Sequence, residues 1–401
     1  MQTIYRYVLC TILTSLALSQ QLDIERLERL VIDGNPQLAA GLKQIESKAG
    51  LLEQSRKLPN PVLEFESGSG SDPETMGMLS QTIPLGGKRK QNINLSDLKL
   101  KKAELEFDIL KQTKLSEAFT AFSRILYLQK IKTFQEDRIA VSGDLLNAVT
   151  RKVEAGKLSP AEKSRARIQL YQEQLKLRSI EKSLETSWTS LAAYWGEEKA
   201  AFNFAEGDLS LIPDIPVYNS FDNAPEIRLS NLRIEIQKAN VQSEKAGAFP
   251  DIKLGAGLKQ SDIPGNTFQV GVSIPFPIFN RNQGNIKSAV SEFEQSQLEL
   301  KAIESQLRAR VFNQQAELRT LASEIAILEE DIIPEAQDAY TIIADGYLNG
   351  RFTYLDVVDS QKIWFQSREQ YVNALKDYHT NFYELDNITG STNHTNFKET
   401  N

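Results

Sequence analysis

The stretch Ser80-Gln81-Thr82-Ile83-Pro84-Leu85-Gly86-Gly87-Lys88-Arg89-Lys90-Gln91 ends an alternating, strand-like segment and opens a long charged run with helical periodicity. A second version, Ser273-Ile274-Pro275-Phe276-Pro277-Ile278-Phe279-Asn280-Arg281-Asn282-Gln283, again has alternation before it and helical spacing after it. The chain therefore reads as two copies of one plan. Upstream of the first junction, the alternation of Val62–Ser69 and Met76–Ile83 around Gly70-Ser71-Asp72-Pro73 predicts a β-hairpin over residues 62–83. Downstream, Lys88 to about Glu154 contains no proline and a single glycine, Gly143, and apolar residues such as Leu115, Phe119, Phe122, Ile125 and Leu126 recur at threes and fours. Ala155-Gly156-Lys157-Leu158-Ser159-Pro160 breaks that helix, and Ser159 with Pro160 makes a good cap and first turn for a returning helix through Tyr194.

Farther out, Asn35-Pro36 divides a short helix from a longer one that stops at Pro59-Asn60-Pro61. Residues 196–222, with Pro213 and Pro216, read as a linker. The plan then returns as a helix to Lys245, a hairpin over 252–274 and a long helical hairpin over 283–388, with a kink expected at Pro334. Gly350 follows Gly156 at the same offset that relates Asp356 to Glu162, which marks a duplicated domain rather than a solenoid. The expected organisation is a first repeat over 20–195, the linker, a second repeat over 223–388 and a polar, disordered tail over 389–401.

Composition supports long helices: 25% of residues are charged, with only 14 Pro and 21 Gly among 401. Residues 1–19 carry Arg6, an apolar run from Tyr7 to Leu18 and small residues Ala17 and Ser19, the pattern of a cleaved signal peptide. The only cysteine, Cys10, falls inside that run, so disulfides and thiolate metal sites are excluded from the exported chain. Outside it, His379 and His394 leave no imidazole cluster for a metal centre. A net charge of −7 excludes an electrostatic nucleic-acid binder. No Gly-rich phosphate loop and no nucleophile with a placed base is present, so neither an enzyme nor a cofactor is expected.

In the second hairpin, Ile252, Leu254, Ala256 and Leu258 fall on one face, as do Phe268, Val270, Val272 and Ile274, with Lys253, Gly255, Gly257, Gln269, Gly271 and Ser273 opposite. Alternation alone also suits a half-buried sheet of a soluble domain. The rest of the chain reads as helix and offers such a sheet no globular partner, and strands of about this length suit a membrane barrel. Strands in lipid must close, because an open edge leaves backbone groups unpaired. Four cannot close alone, which leaves eight strands in a dimer or twelve in a trimer.

With Asn35-Pro36, Pro59-Asn60-Pro61, the repeated hairpin and long helix, Ala155-Gly156, and Gly350 followed by Asp356-Val357-Val358-Asp359, the chain resembles the TolC-like outer membrane efflux protein family over nearly all of its length after the leader. The wording Gln81-Thr82-Ile83-Pro84-Leu85-Gly86-Gly87-Lys88-Arg89 is most similar to the CzcC-type heavy-metal efflux branch. The resemblance implies a mainly α chain with a small β part. It further implies a homotrimer with a twelve-stranded barrel in outer-membrane lipid, continued by an α-helical periplasmic barrel. The chain would then be the passive exit duct of a tripartite pump, with a periplasmic adaptor and an inner-membrane, RND-type pump as partners. Alternatives are a duct for drugs or type I protein secretion and, from another class, a soluble periplasmic coiled-coil adaptor or scaffold.

Asp356 and Asp359 lie three apart and share a helix face. The resemblance implies that they ring a periplasmic gate, with Glu162 as the repeat equivalent of Asp356. Arg351, Tyr354, Arg165 and Arg167 flank the two turns as candidate gate cross-links. Gly156, Lys157, Leu158 and Ser159, with Gly346, Gly350, Phe352 and Thr353, form the candidate adaptor-docking turns. Pro84, Gly86, Gly87, Pro275 and Pro277 are the candidate barrel-to-helix junction, to which Lys88, Arg89 and Lys90 belong.

Overall fold

The computed structural model describes residues 21–68, 74–218, 220–261 and 265–391; the expected signal peptide and most of the expected polar tail lie outside them. In chain order the elements are β1 (Gln21–Leu22), α1 (Ile24–Gly34), α2 (Pro36–Ser55), β2 (Val62–Gly68), β3 (Glu74–Ile83), α3 (Lys88–Glu154) and α4 (Pro160–Ala192). They continue with β4 (Phe204–Ala205), α5 (Pro225–Gly247), β5 (Ile252–Gln260), β6 (Thr267–Ser273), α6 (Gln283–Ile327), α7 (Ile333–Leu348) and α8 (Tyr354–Thr389). The chain is thus mainly α with a small β part. The elements pack as two compact units, and each draws segments from both halves of the chain. Of the described residues, one takes those up to Ala39, Lys111–Ala224 and those from Leu307 to Ser391; the other takes those within Ala40–Leu110 and Pro225–Gln306.

The second unit holds a four-stranded antiparallel sheet in the order β2-β3-β5-β6, so the two sequence hairpins join through β3 and β5, with Ile83 opposite Ile252 and Thr75 opposite Gln260. The register sorts side chains by chemistry. Leu63, Phe65, Leu79, Leu254, Leu258, Phe268, Val270 and Val272 share one face, all exposed. The opposite face carries small and charged residues and two ion pairs, Lys253 Nζ to Glu64 at 2.7 Å and Lys259 Nζ to Glu74 at 2.6 Å. Gly257 is required there, because a Cβ would sit 2.3 Å from the Gly77 carbonyl oxygen. A predominantly apolar exposed face, interrupted by Thr75, Gln81 and Gln260, opposite a more polar one inverts the usual soluble pattern of apolar-in and polar-out.

In the first unit, Asn35 ties the start of the chain to the end of α4. Its Nδ2 donates to Tyr194 O at 2.7 Å, while its Oδ1 accepts from the amides of Gln37 and Leu38 and so caps α2 ahead of Pro36. Residues 196–222 are more than a spacer. β4 pairs in parallel with β1, and the Gln129 side chain closes the other edge of β4, donating to Ala205 O at 3.0 Å and accepting from Ala205 N at 2.8 Å. Beyond it, Leu209, Pro213 and Pro216 offer carbonyls to His379, Tyr378 and Gln315. At Pro334 the chain resolves the missing N–H with a π-turn, Leu328–Ile332, placed just before α7. Thr389, at the start of the expected tail, is instead the last residue of α8, buried and hydrogen-bonded to Leu385 O at 2.7 Å, with Gly390 as the left-handed C-cap.

Candidate functional site

Two turns in the first unit share one construction. After α3, Gly156 N donates to Val153 O and Lys157 N to Lys152 O; after α7, Gly350 N donates to Tyr347 O and Arg351 N to Gly346 O. Each pair is a Schellman closure around a left-handed glycine, Gly156 at φ 69° and Gly350 at φ 77°. Each turn then restarts a helix from a hydroxyl cap. Ser159 accepts from Ala161 N, and Thr353 accepts from Asp356 N. The repeat offset read from the glycines therefore holds through the whole turn.

The two copies diverge at the third helical position. Asp356 Oδ2 accepts from Thr353 N and Thr353 Oγ1, both at 2.8 Å, completing a capping box. Those bonds, the backbone one first, hold its exposed carboxyl below the usual range. Glu162 pairs instead with Arg165 at 3.3 Å through Oε1, while its Oε2 is buried with no hydrogen-bond partner among the described residues. Replacing Thr353 with Ala should weaken the start of α8 by about 1 kcal/mol. Because the Asp356 pKa is depressed, its contribution is present above the ordinary aspartate pKa and lost as pH falls below about 4. Hydrogen exchange of the Tyr354–Val357 amides in the variant, and in the wild type across that range, checks both.

Between the turns lies an apolar cluster of Leu145, Ala148, Val149, Ala166, Tyr347, Tyr354 and Val357. Tyr354 is buried, with its hydroxyl donating to Gln169 at 3.2 Å, so it links α8 to α4 within one chain; burial and the nearby Glu162 raise its pKa. Phe352 lies over Gly346, where a Cβ would come within 2.4 Å of the ring. Asp359 is exposed, as are Arg351 and Arg167, and these two arginines have no ion-pair partner among the described residues. Asp356, Asp359, Leu355 and Ile363 form one exposed stripe. A cavity of about 550 Å3 opens beside the turns, lined by Lys152, Lys157, Leu158, Glu162, Tyr347 and Leu355 among others.

Sequence reading missed Lys152. Its Nζ donates to Tyr347 O and lies 3.8 Å from the Tyr347 ring centroid, a cation–π contact, and burial with the neighbouring Lys157 lowers its pKa. It stands at the repeat offset from Gly346, a signal that could have been found.

The junctions fall in the second unit. Asp251 Oδ1 accepts from Leu85 N at 3.2 Å and from Lys88 Nζ at 2.7 Å, so the cation that opens α3 is neutralised on the spot. Arg89 donates at 2.6 Å to Arg56 O, just past the C-terminus of α2, where a cation is favourable. Pro84 leads into Gly86 and Gly87, both left-handed, and Gly86 abuts Phe249 so tightly that a Cβ would lie 2.6 Å from that side chain. Pro275 and Pro277 lead to Asn282, left-handed at φ 60° immediately before α6 as Gly87 is before α3. Asn282 Nδ2 donates to Glu244 O at 2.8 Å and Oε2 at 2.7 Å. Asn282→Ala should cost about 1–2 kcal/mol from its left-handed backbone alone, and more with the lost hydrogen bonds. Asn282→Gly should recover the backbone part in a denaturation series.

The family model described as outer membrane efflux protein matches residues 29–197 and 217–391. The chain is 29% identical over 379 residues to the cobalt-zinc-cadmium resistance protein CzcC of Cupriavidus metallidurans, covering 92% of this chain and 90% of that one. Among solved structures, CusC superposes with a TM-score of 0.80 at 16% identity, over 92% of each chain. VceC of Vibrio cholerae gives 0.75 at 16% identity, over 92% of this chain and 96% of that one.

Proposed function

The chain belongs to the outer membrane efflux protein family, and on that premise we propose that three copies close their sheets into a twelve-stranded outer-membrane barrel. The observation that carries this reading is the open sheet of the second unit, one face of which exposes a row of large apolar side chains, Leu63, Phe65, Leu79, Leu254, Leu258, Phe268, Val270 and Val272. The outer edges of both β2 and β6 lack a strand partner among the described residues, and in lipid such edges must be paired. Among the described residues no helix is long and apolar enough to cross a membrane. The apolar face of the sheet is the lipid-facing element, and the oligomer supplies its closure.

The protein is the passive exit duct of a tripartite efflux system, with energy supplied by an inner-membrane, RND-type pump and the connection made by a periplasmic adaptor. The adaptor docks on the paired glycine turns. Heavy-metal cations are the cargo, supported by the similarity to the cobalt-zinc-cadmium resistance protein. Among the described residues no three His, Cys, Asp or Glu are grouped to hold a metal. Asp356 and Asp359 form two carboxylate rings at the gate, a negative potential that attracts cations. Arg165 and Arg167, with Arg351, cross-link adjoining hairpins in the closed state.

Asp356→Asn combined with Asp359→Asn should weaken channel block by divalent cations several-fold, since the Asn oxygen can still serve the Thr353 cap. Unchanged block in planar bilayers removes these residues from the gate. Deleting the gene should lower tolerance to zinc, cobalt or cadmium; a loss confined to a drug panel would reassign the cargo.

A further inference from the structure

The two strand-to-helix junctions differ in what they expose. In the first half, Pro84–Gly87 turns tightly, with Leu85 half-buried and Gly86 against Phe249. In the second half, Ile274–Asn282 separates β6 from α6, and its Phe276, Ile278 and Phe279 are 87%, 60% and 90% exposed. These are large apolar side chains in a loop, and Phe276 continues the alternation of Phe268, Val270 and Val272 on the apolar face of β6 and of Ile274 just beyond it. Pro275 and Pro277 hold Ile274 and Phe276 in extended conformations without a strand partner. Ile278 N then donates to Phe276 O at 2.9 Å, turning the chain, and Arg281 follows with its Nε on Pro277 O at 3.3 Å.

Length decides what this loop is for. From Phe268 to Ile274, the first residue past β6, the apolar face runs about 20 Å along the extended chain at roughly 3.3 Å per residue. With a tilt of about 45° it spans only about 14 Å of the bilayer normal, well short of an apolar band about 25 Å tall. Before Phe268 the chain, Ser261–Thr267, is polar apart from Ile263 and Pro264. Carrying the face on to Phe276 raises the span to about 19 Å on the same arithmetic, and Ile278 and Phe279 extend it to the rim.

We propose that the Ile274–Arg281 loop is a membrane-interface anchor that completes the lipid contact on the helix side of the barrel. Phe276, Ile278 and Phe279 lie at the boundary of the acyl chains, and Arg281 pairs with lipid phosphates. The occupant is phospholipid, because the loop continues a face already turned to lipid and ends in a cation at headgroup depth. This inference rests on reading the sheet as part of a lipid-embedded barrel.

The test places nitroxide labels at positions 270, 276 and 281 of the full-length protein, reconstituted in vesicles of phosphatidylethanolamine and phosphatidylglycerol. Collision with oxygen should exceed collision with a water-soluble nickel chelate several-fold at 276, as at 270, and the order should reverse at 281. A label at 276 closed to both reagents would mean that a neighbouring copy covers the loop, and one open to the nickel chelate would put it in water; either overturns the proposal while 270 still reports lipid. A nickel-accessible label at 270 overturns the barrel reading itself. With unlabelled wild-type protein, a photoactivatable phospholipid should leave adducts on residues 274–281, and adducts confined to β2–β6 would again overturn the anchor.

Discussion

Acidification from neutral pH to about 4 should cost the protein about 3 kcal/mol through His379 alone. The ring is buried on α8 with Nε2 2.9 Å from Leu209 O. Burial drives its pKa from 6.5 down to about 4, against smaller opposing effects of Leu209 and Asp208. A depressed histidine pKa gives stability that is complete above the unfolded value near 6.5 and is lost as pH falls through the folded value. The 2.5 pH units between the two values set the figure of about 3 kcal/mol at roughly 1.4 kcal/mol per unit. The loss should appear first in the 204–216 segment, whose carbonyls at Leu209 and Pro213 are held by His379 and Tyr378. In His379→Gln, which keeps an N–H donor, the fall in stability between pH 7 and pH 4 should shrink by about that amount. An unchanged difference would place the titration elsewhere.

Glu173→Ala should destabilise the fold by about 3–5 kcal/mol, because it leaves a largely buried cation without its partner. Glu173 on α4 is 7% exposed, and Arg138 Nε on α3 lies 3.0 Å from its Oε1. Gln135 Nε2 donates to Glu173 Oε2 at 2.8 Å and to its backbone carbonyl at 3.0 Å, while Arg138 faces Oε1 as an ion pair whose Nε makes no hydrogen bond among the described residues. Replacing both charges, as Glu173→Leu with Arg138→Met, should recover most of the loss, since well-packed apolar residues avoid the desolvation that an ion pair must overcome. Thermal unfolding of the singles and the double measures this. A double variant no better than Glu173→Ala would show that packing, and not the orphaned charge, sets the cost.

The parts of the fold that depend on local pattern were legible in the sequence. Runs of apolar residues at threes and fours gave α3 and α4, and Ser159-Pro160 marked the restart between them. Gly156 and Gly350 located turns that need a left-handed residue, and the shared offset of Glu162 and Asp356 placed both at the third position of a helix. Long-range pairing was not legible. Nothing in the alternation of β3 and β5 says that they are neighbours, because backbone hydrogen bonds carry no side-chain signature. The two-residue β1–β4 ladder is too short for any period, and it depends on Gln129 to close its edge.

The candidate site was legible to a similar depth. The turns followed from glycine chemistry, whereas the partners of Lys152 and Tyr354 are set by packing among α3, α4, α7 and α8. Lys88 has the unfavourable sign for a helix N-terminus, and the Asp251 that offsets it lies far away in the sequence. Asn282 was passed over because asparagine, unlike glycine, is only sometimes left-handed. Pro334 announced a disturbance in the helix but not its form, since a proline can be met by a kink or by a π-turn.

The central claim is that three chains close one barrel. The direct measurement is the mass of the detergent-solubilised complex, determined on the same preparation that is then inserted into planar bilayers. The account predicts three times the protomer mass, lost on boiling, and discrete single-channel steps from the unboiled form only. A monomer recovered from the soluble fraction, with no conductance at any protein concentration, would contradict it.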